Sequence, residues 1–338
     1  MSGIGLFDFD ERCHQLHKLG NPLERLDKAI NWEKFRPLLK KVHEKERKNN
    51  SGRKPWDVVL MFKTLVLQSM YNLSDDQTEY QVRDRISFMQ FLGLQLGDQV
   101  PDAKTVWLFR DQLRNLGLVE RLFKRFDRYL TAQGYEAKGG TIVDASIVEV
   151  PKQRNSREDN RELKVGRVPK SFRDNPAKAR QKDTEARWVK KNGENYYGYK
   201  NHVNVDARHK FIRAYGVTNA ATHDSQMMEN LMGKAKNTNK NVYGDSAYRS
   251  NEITEMLAQQ NLRDKIHRKS YRGNPLKESA KAANANKSKI RARVEHVFGR
   301  QKQFGETIIR SIGKARAKCW IGLRNLVYNF DRYAGMVT

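Results

Sequence analysis

Three acidic residues stand where a fold would present them to a reacting group. Asp144 lies in Ile142-Val-Asp-Ala-Ser146, Asp245 ends Asn241-Val-Tyr-Gly-Asp245, and Glu295 sits inside Arg291-Ala-Arg-Val-Glu-His-Val-Phe-Gly299. The first two segments read as strands that end late on an aspartate, the third as a helix. Carboxylate oxygens suit Mg²⁺ and Mn²⁺, and three carboxylates suffice for a pair of ions. One ion activates an attacking water or 3′-hydroxyl while the other stabilises the leaving oxygen, which is phosphoryl-transfer chemistry. Singly, each residue has a plainer explanation. A strand-end aspartate commonly closes a turn, and Glu295 can pair with Arg291 one turn back for a few tenths of a kcal/mol. As a set in this order, inside a strongly basic chain, the metal reading is favoured. Glu149 is five residues from Asp144 and faces the other way along a strand, which makes it a poor co-ligand. Asp206 and Asp224 remain competitors on spacing alone.

The elements that must carry these residues begin near residue 136, where hydrophobic periodicity changes. A strand runs from Gly139-Gly140 to Val150, with others at 196–206, 210–217, around 241–245 and 263–267. Helices are expected at 224–232, from a Ser250 cap through Ala258, around Glu295, and over 315–333. In that last helix Trp320, Leu323, Val327 and Phe330 suit packing on a sheet face. The order predicts an α/β (α+β) mixed sheet flanked by helices. Residues 151–195 are polar, charged and punctuated by proline, with too few large apolar side chains for a core of their own. They read as a basic insertion ordered against a partner, and 270–288 as a second polar stretch.

Residues up to about 135 read as an all-α domain. Asp57 to Gln68 is apolar nearly all round, a buried central helix. Ser74-Asp-Asp-Gln77 is a capping box, and Gly117 makes a tight corner between helices at 103–116 and 118–132. Lys104 and Arg110 sit off the apolar stripe of Val106, Phe109 and Leu113. Such a domain serves DNA reading, dimerisation or both.

Composition narrows the partner. The 338 residues carry 65 Lys and Arg against 39 Asp and Glu, a net charge of +26. Excess on this scale points to a polyanion, hence nucleic acid. Cys13 and Cys319 are the two cysteines, with no zinc spacing, which fits a reducing cytoplasm. The opening Met1-Ser-Gly-Ile-Gly-Leu-Phe-Asp-Phe-Asp10 lacks the features of a secretory leader. Val58 to Leu67, broken by Lys63, is too short to span a membrane.

Several blocks together resemble bacterial insertion-sequence transposases of the DDE type, specifically the insertion-sequence-five family. They are Asn21-Pro-Leu-Glu-Arg-Leu26, Asp57 to Ser74, Val100-Pro-Asp-Ala-Lys-Thr-Val-Trp-Leu-Phe-Arg110, Ile142 to Ser146, Ala186-Arg-Trp-Val-Lys-Lys191, Tyr243-Gly-Asp-Ser-Ala-Tyr-Arg-Ser250 and Arg291 to Gly299. The resemblance implies an RNase H-like catalytic domain over 136–338, preceded by the helical domain of 1–135 for end-DNA binding or dimerisation. It implies a catalytic, metal-binding triad of Asp144, Asp245 and Glu295, using two Mg²⁺ ions for which Mn²⁺ substitutes. Cutting at inverted-repeat ends and attack of the freed 3′-hydroxyls on target DNA follow, in a cytoplasmic, nucleoid-associated homodimer. Related transposases carry a tyrosine, arginine, glutamate, lysine signature. Arg291, Glu295 and Lys302 match its spacing, whereas Ser288 stands at the tyrosine position. Arg249, Arg291, Lys302, Lys104 and Arg110 are the expected DNA contacts. A DNA-binding relic without chemistry and a nuclease without strand transfer are the alternatives.

Overall fold

The computed structural model describes residues 8–44, 54–234, 240–271, 273–305 and 308–337. Residues 1–7 of the opening segment, read above for a leader, lie outside them. The chain forms two compact units, one of residues 1–126 and 326–338, the other of 127–325. The division falls ahead of the expected 135–136, and the last residues return to the first unit. No helix of the described residues is long and apolar enough to cross a membrane.

The first unit is helical. Its central helix, Val58–Tyr71, starts where the Asp57 carboxylate accepts the amides of Val59 and Leu60 and stops at Asn72 in the left-handed conformation. Val59, Phe62, Leu65 and Val66 are all buried. The polar exception, Lys63, pairs with Asp27 at 2.6 Å and lies over the Phe91 ring, 4.6 Å from its centroid. Ser74 and Gln77 form the capping box that the sequence predicts. Phe330 packs edge-on against Trp32 at 5.5 Å, Phe62 at 6.2 Å and Phe126 at 4.6 Å. The tail stripe was expected on the sheet; at Phe330 it completes this aromatic core instead. Amphipathicity says that a face is covered, not by what.

The second unit is built on a six-stranded mixed sheet: β1 Thr141–Glu149, β2 Arg187–Lys191, β3 Glu194–Asp206, β4 Ile212–Asn219, β5 Asn241–Tyr243 and β6 Arg263–Asp264. β1 and β3 pair antiparallel from Thr141–Asp206 to Glu149–Gly198. β2 and β4 take successive stretches of the other edge of β3, both antiparallel. β5 runs parallel to β1, and β6 parallel to β5. At Gly198, φ is +154° and an added Cβ would meet the Val148 carbonyl oxygen at 2.3 Å, so glycine lets β1 and β3 close there.

Helices cover both faces. Val143 and Ala214 pack with Met228, Leu231, Ile253 and Leu257, from the helices Met228–Lys234 and Asn251–Gln259. On the other face Asn201 and Asn325 exchange amide hydrogen bonds of 2.9 and 3.0 Å, and Gln301 donates to Asn325 at 2.8 Å. This buried amide set ties the helix Glu278–Gln303 and the middle of the helix Lys314–Val337 to β3. The helix bearing Glu295 thus begins at 278, absorbing much of the polar stretch 270–288.

The insertion is also ordered, contrary to expectation. Helices Arg157–Lys164, Lys170–Arg173 and Pro176–Arg180 precede β2, the first opened by a capping box of Ser156 and Asp159. Beyond them Asp183, 2% exposed, accepts the Tyr199 hydroxyl at 2.8 Å and the backbone amides of Glu185, Ala186 and Gly313 at 3.0 Å. Caps and one buried carboxylate do here what composition assigns to a large apolar core.

Candidate active site

The short β5 creates the site. Its pairing with β1 sets Thr141 against Val242 and Ile142 against Tyr243, and then β5 ends. Continued two residues beyond that pairing, the same register sets Asp245 opposite Asp144, whose carboxyl feels its charge. Asp144 is the fourth of nine residues in β1, not late in its strand as expected. The end of its parallel neighbour β5 lies two residues before it in register, and ligands of such sheets gather at strand ends. The Asp245 carboxylate caps the turn Ser246–Tyr248 by accepting the Ala247 amide at 2.8 Å. Asp144 accepts the amide of Ala145 at 2.8 Å.

Burial raises the Asp144 carboxyl above the usual carboxylate range, and the charge of Asp245 raises it further; the Ala145 amide and Arg291 oppose them. Arg291 arrives from the helix Glu278–Gln303, its Nη2 3.5 Å from Asp144 Oδ2. Val294 and Val297 are the buried side of that helix, holding it on the sheet. Glu295, one turn after Arg291, is exposed, as is Lys302. The structure therefore brings Asp144, Asp245 and Arg291 together. Among the described residues no group of three or more His, Cys, Asp and Glu side chains is placed to hold a metal ion.

The other expected DNA contacts divide. Lys104 is exposed. Arg110, by contrast, reaches Asp75 through both terminal nitrogens, at 2.6 and 2.8 Å, and Gln68 at 2.7 Å. Arg249 holds Asp264 with two nitrogens and the carbonyls of Ile266 and His267. Both arginines are tied into their own units by these partners. Of the competing aspartates, Asp206 is fully buried and holds the Arg208 amide at 2.8 Å, the His209 ring at 2.8 Å and Arg213 at 3.3 Å. That is a structural role. Asp224 takes Lys200 at 2.8 Å, with His202 Nδ1 3.9 Å away.

Sequence reasoning missed Tyr248 and the Lys200–Asp224–His202 group. Burial first, then the charges of Asp224, Asp144 and Asp245, raises the Tyr248 hydroxyl well above its ordinary value. Burial, with Lys200 adding, pushes His202 down to about 4, so its ring is neutral. The one available signal was that Tyr248 lies in the block around Asp245.

Residues 135–330 match the family model described as Transposase DDE domain. The chain belongs to the DDE transposase domain family. Residues 11–112 match a second family, described as Transposase domain (DUF772). Among solved structures, the chain is similar to piggyBac transposase in a synaptic complex with hairpin DNA, determined by cryo-electron microscopy. That similarity has 10% identity and a TM-score of 0.46, and covers 94% of this chain and 75% of that one. The chain is thus a DNA transposase with an RNase H-like mixed sheet, of the insertion-sequence kind.

DDE transposases work with divalent metal ions, and the donor set of this transposase suits one. Asp144 and Asp245 are hard oxygen donors in one row, and the penalty that burial and mutual repulsion place on the Asp144 charge is what a cation relieves. Mg²⁺ needs only one or two carboxylates, its remaining positions going to water and substrate phosphate.

Proposed function

We propose that this chain is the transposase of a bacterial insertion sequence of the insertion-sequence-five family. It binds the terminal inverted repeats as a homodimer, cleaves at the element ends and joins the 3′-hydroxyls to target DNA. The carrying observation is the common row of Asp144 and Asp245 beyond the end of β5, with Arg291 brought to Asp144 by the helix that bears Glu295. Asp144 and Asp245 would hold the first divalent ion, and Glu295 is assigned as the third carboxylate, which would serve a second. When bound, two such ions activate the attacking oxygen and stabilise the leaving one. Arg291 orients Asp144 and faces the phosphate. Lys302 and Lys104, both exposed, contact DNA phosphates. Two copies match two symmetric ends, and residues 1–135 supply end binding or dimer contacts.

A joining assay tests this reading. Protein, Mg²⁺ and a labelled duplex from the DNA flanking the gene are incubated with a plasmid, beside Asp245→Ala. Label on the plasmid with the wild-type chain alone is the expected result. Release of cut DNA without joining supports the nuclease reading. Binding with neither cutting nor joining supports the DNA-binding relic, which the intact triad disfavours.

A further inference from the structure

Beside the aspartate row, the segment after β6 is fastened to the helix Glu278–Gln303 by a single stripe of side chains. Asn284 exchanges hydrogen bonds of 3.0 Å with the backbone of Arg268 in both directions. Lys287 Nζ donates to the Ile266 carbonyl at 2.9 Å. Ser288 Oγ lies 3.4 Å from His267 Nε2. Arg291 follows on the same stripe and reaches Asp144. From 284 to 291 the stripe covers about 10 Å of helix. The His267 amide, meanwhile, donates to the Gly244 carbonyl at 3.1 Å, so His267 enters beside the residue preceding Asp245.

Charge here is lopsided. Lys265, Arg268, Lys287 and Arg249 act on one another around Asp264, which Arg249 already holds, while Arg291 beside them reaches Asp144. Burial and then the crowding by Arg249, Arg268 and Lys265 lower the Lys287 pKa, and the positive charges of Arg291 and Lys287 act with burial to lower that of His267. Cations repelling one another at a partly open surface are relieved by a polyanion. The side chains of His267, Lys287 and Ser288 are not fully covered.

We propose that His267, Lys287, Ser288 and Arg268 form a track for the DNA strand leading into the aspartate row, with His267 contacting the phosphodiester next to the one that reacts. This rests on the proposed transposition reading; apart from Ser288, which stands at the tyrosine position of the signature, it names side chains outside the triad and its signature. His267 acts on a non-bridging phosphate oxygen as a hydrogen-bonding group; Lys287 and Arg268 neutralise the flanking charge.

The test neutralises phosphates one at a time. Duplexes from the DNA flanking the gene, each with one methylphosphonate near the cut end, are titrated against the full chain by fluorescence anisotropy with Ca²⁺ present. For wild type, one position is expected to weaken binding by about tenfold, the scale of one charge-assisted hydrogen bond. His267→Ala is expected to bind the unmodified duplex about tenfold more weakly and to show no further loss at that position, while His267→Gln keeps part of the loss. An equal methylphosphonate penalty in wild type and His267→Ala overturns the track, because a mutation that merely loosened the fold would leave the penalty in place. Lys287→Ala serves as a second probe, with its lost penalty expected at a neighbouring phosphate. Cutting and joining without this coupling overturns the track alone. Coupling without any cutting leaves the track standing and removes the transposition reading.

Discussion

Asp245 follows two residues after β5 stops at Tyr243, opposite Ile142, and its charge acts on the Asp144 carboxyl from just beyond that strand end. Two like charges in one partly desolvated row are costly without a counter-ion. Asp144→Asn therefore raises the stability of the metal-free protein at neutral pH by about 1 kcal/mol, the usual trade between stability and function at a site. It lowers DNA cleavage by at least about 10³-fold. Thermal unfolding in EDTA and a nicking assay in Mg²⁺ read the two effects. A variant less stable than wild type would contradict the strain inferred for the pair.

Arg110 gives a stability effect that depends on pH. Burial works against the Asp75 charge, but the hydrogen bonds and charge of Arg110, with Gln68, outweigh it and hold the carboxyl below its usual range. A depressed folded pKa gives stability that is present above the unfolded value, about 3.9, and lost as pH falls through the folded one. Arg110→Ala should cost about 1–3 kcal/mol at pH 7, with the ionic share of that difference disappearing under acid. Urea unfolding at pH 7 and near pH 3 checks it.

Asp183 is the acceptor on which the order of the insertion depends. Asp183→Ala strips the Tyr199 hydroxyl and three backbone amides of their partner at once, at a cost of about 3–5 kcal/mol. Hydrogen exchange should accelerate first at Glu185, Ala186 and Gly313. Unchanged protection there would mean that the helices before β2 hold themselves.

Exposed Lys302 and buttressing Arg249 separate DNA binding from folding. Lys302→Ala should leave the melting temperature within about 1 °C and reduce the salt slope of DNA binding by about 1. Arg249→Ala removes the clamp on Asp264 and the Ile266 carbonyl and should lower the melting temperature by several degrees, as a loss of about 1–3 kcal/mol does. The reverse pattern would exchange their roles.

What the sequence made legible follows from what a local pattern encodes. Strand alternation around Asp144, the Ser74 capping box and the helix of Glu295 are each written within a dozen residues. The partners of Arg110 lie 35 and 42 residues away, and a cation in a helix looks the same whether it faces solvent or a carboxylate. Asp144 looked like a strand end because its apolar run ends there; the true edge is that of β5, a hundred residues on. The insertion was underrated because hydrophobic counting gives no weight to a buried Asp183. Its tyrosine and amide partners come from β3 and from the turn before the last helix.

The Phe330 ring has a consequence for synthesis. Trp32, Phe35, Phe62 and Phe126 emerge from the ribosome long before the ring that completes their packing. The helical unit gains its full aromatic packing only once residue 330 has been made. A product truncated between the two units lacks that ring, and its helical unit is expected to be less stable than in the full chain.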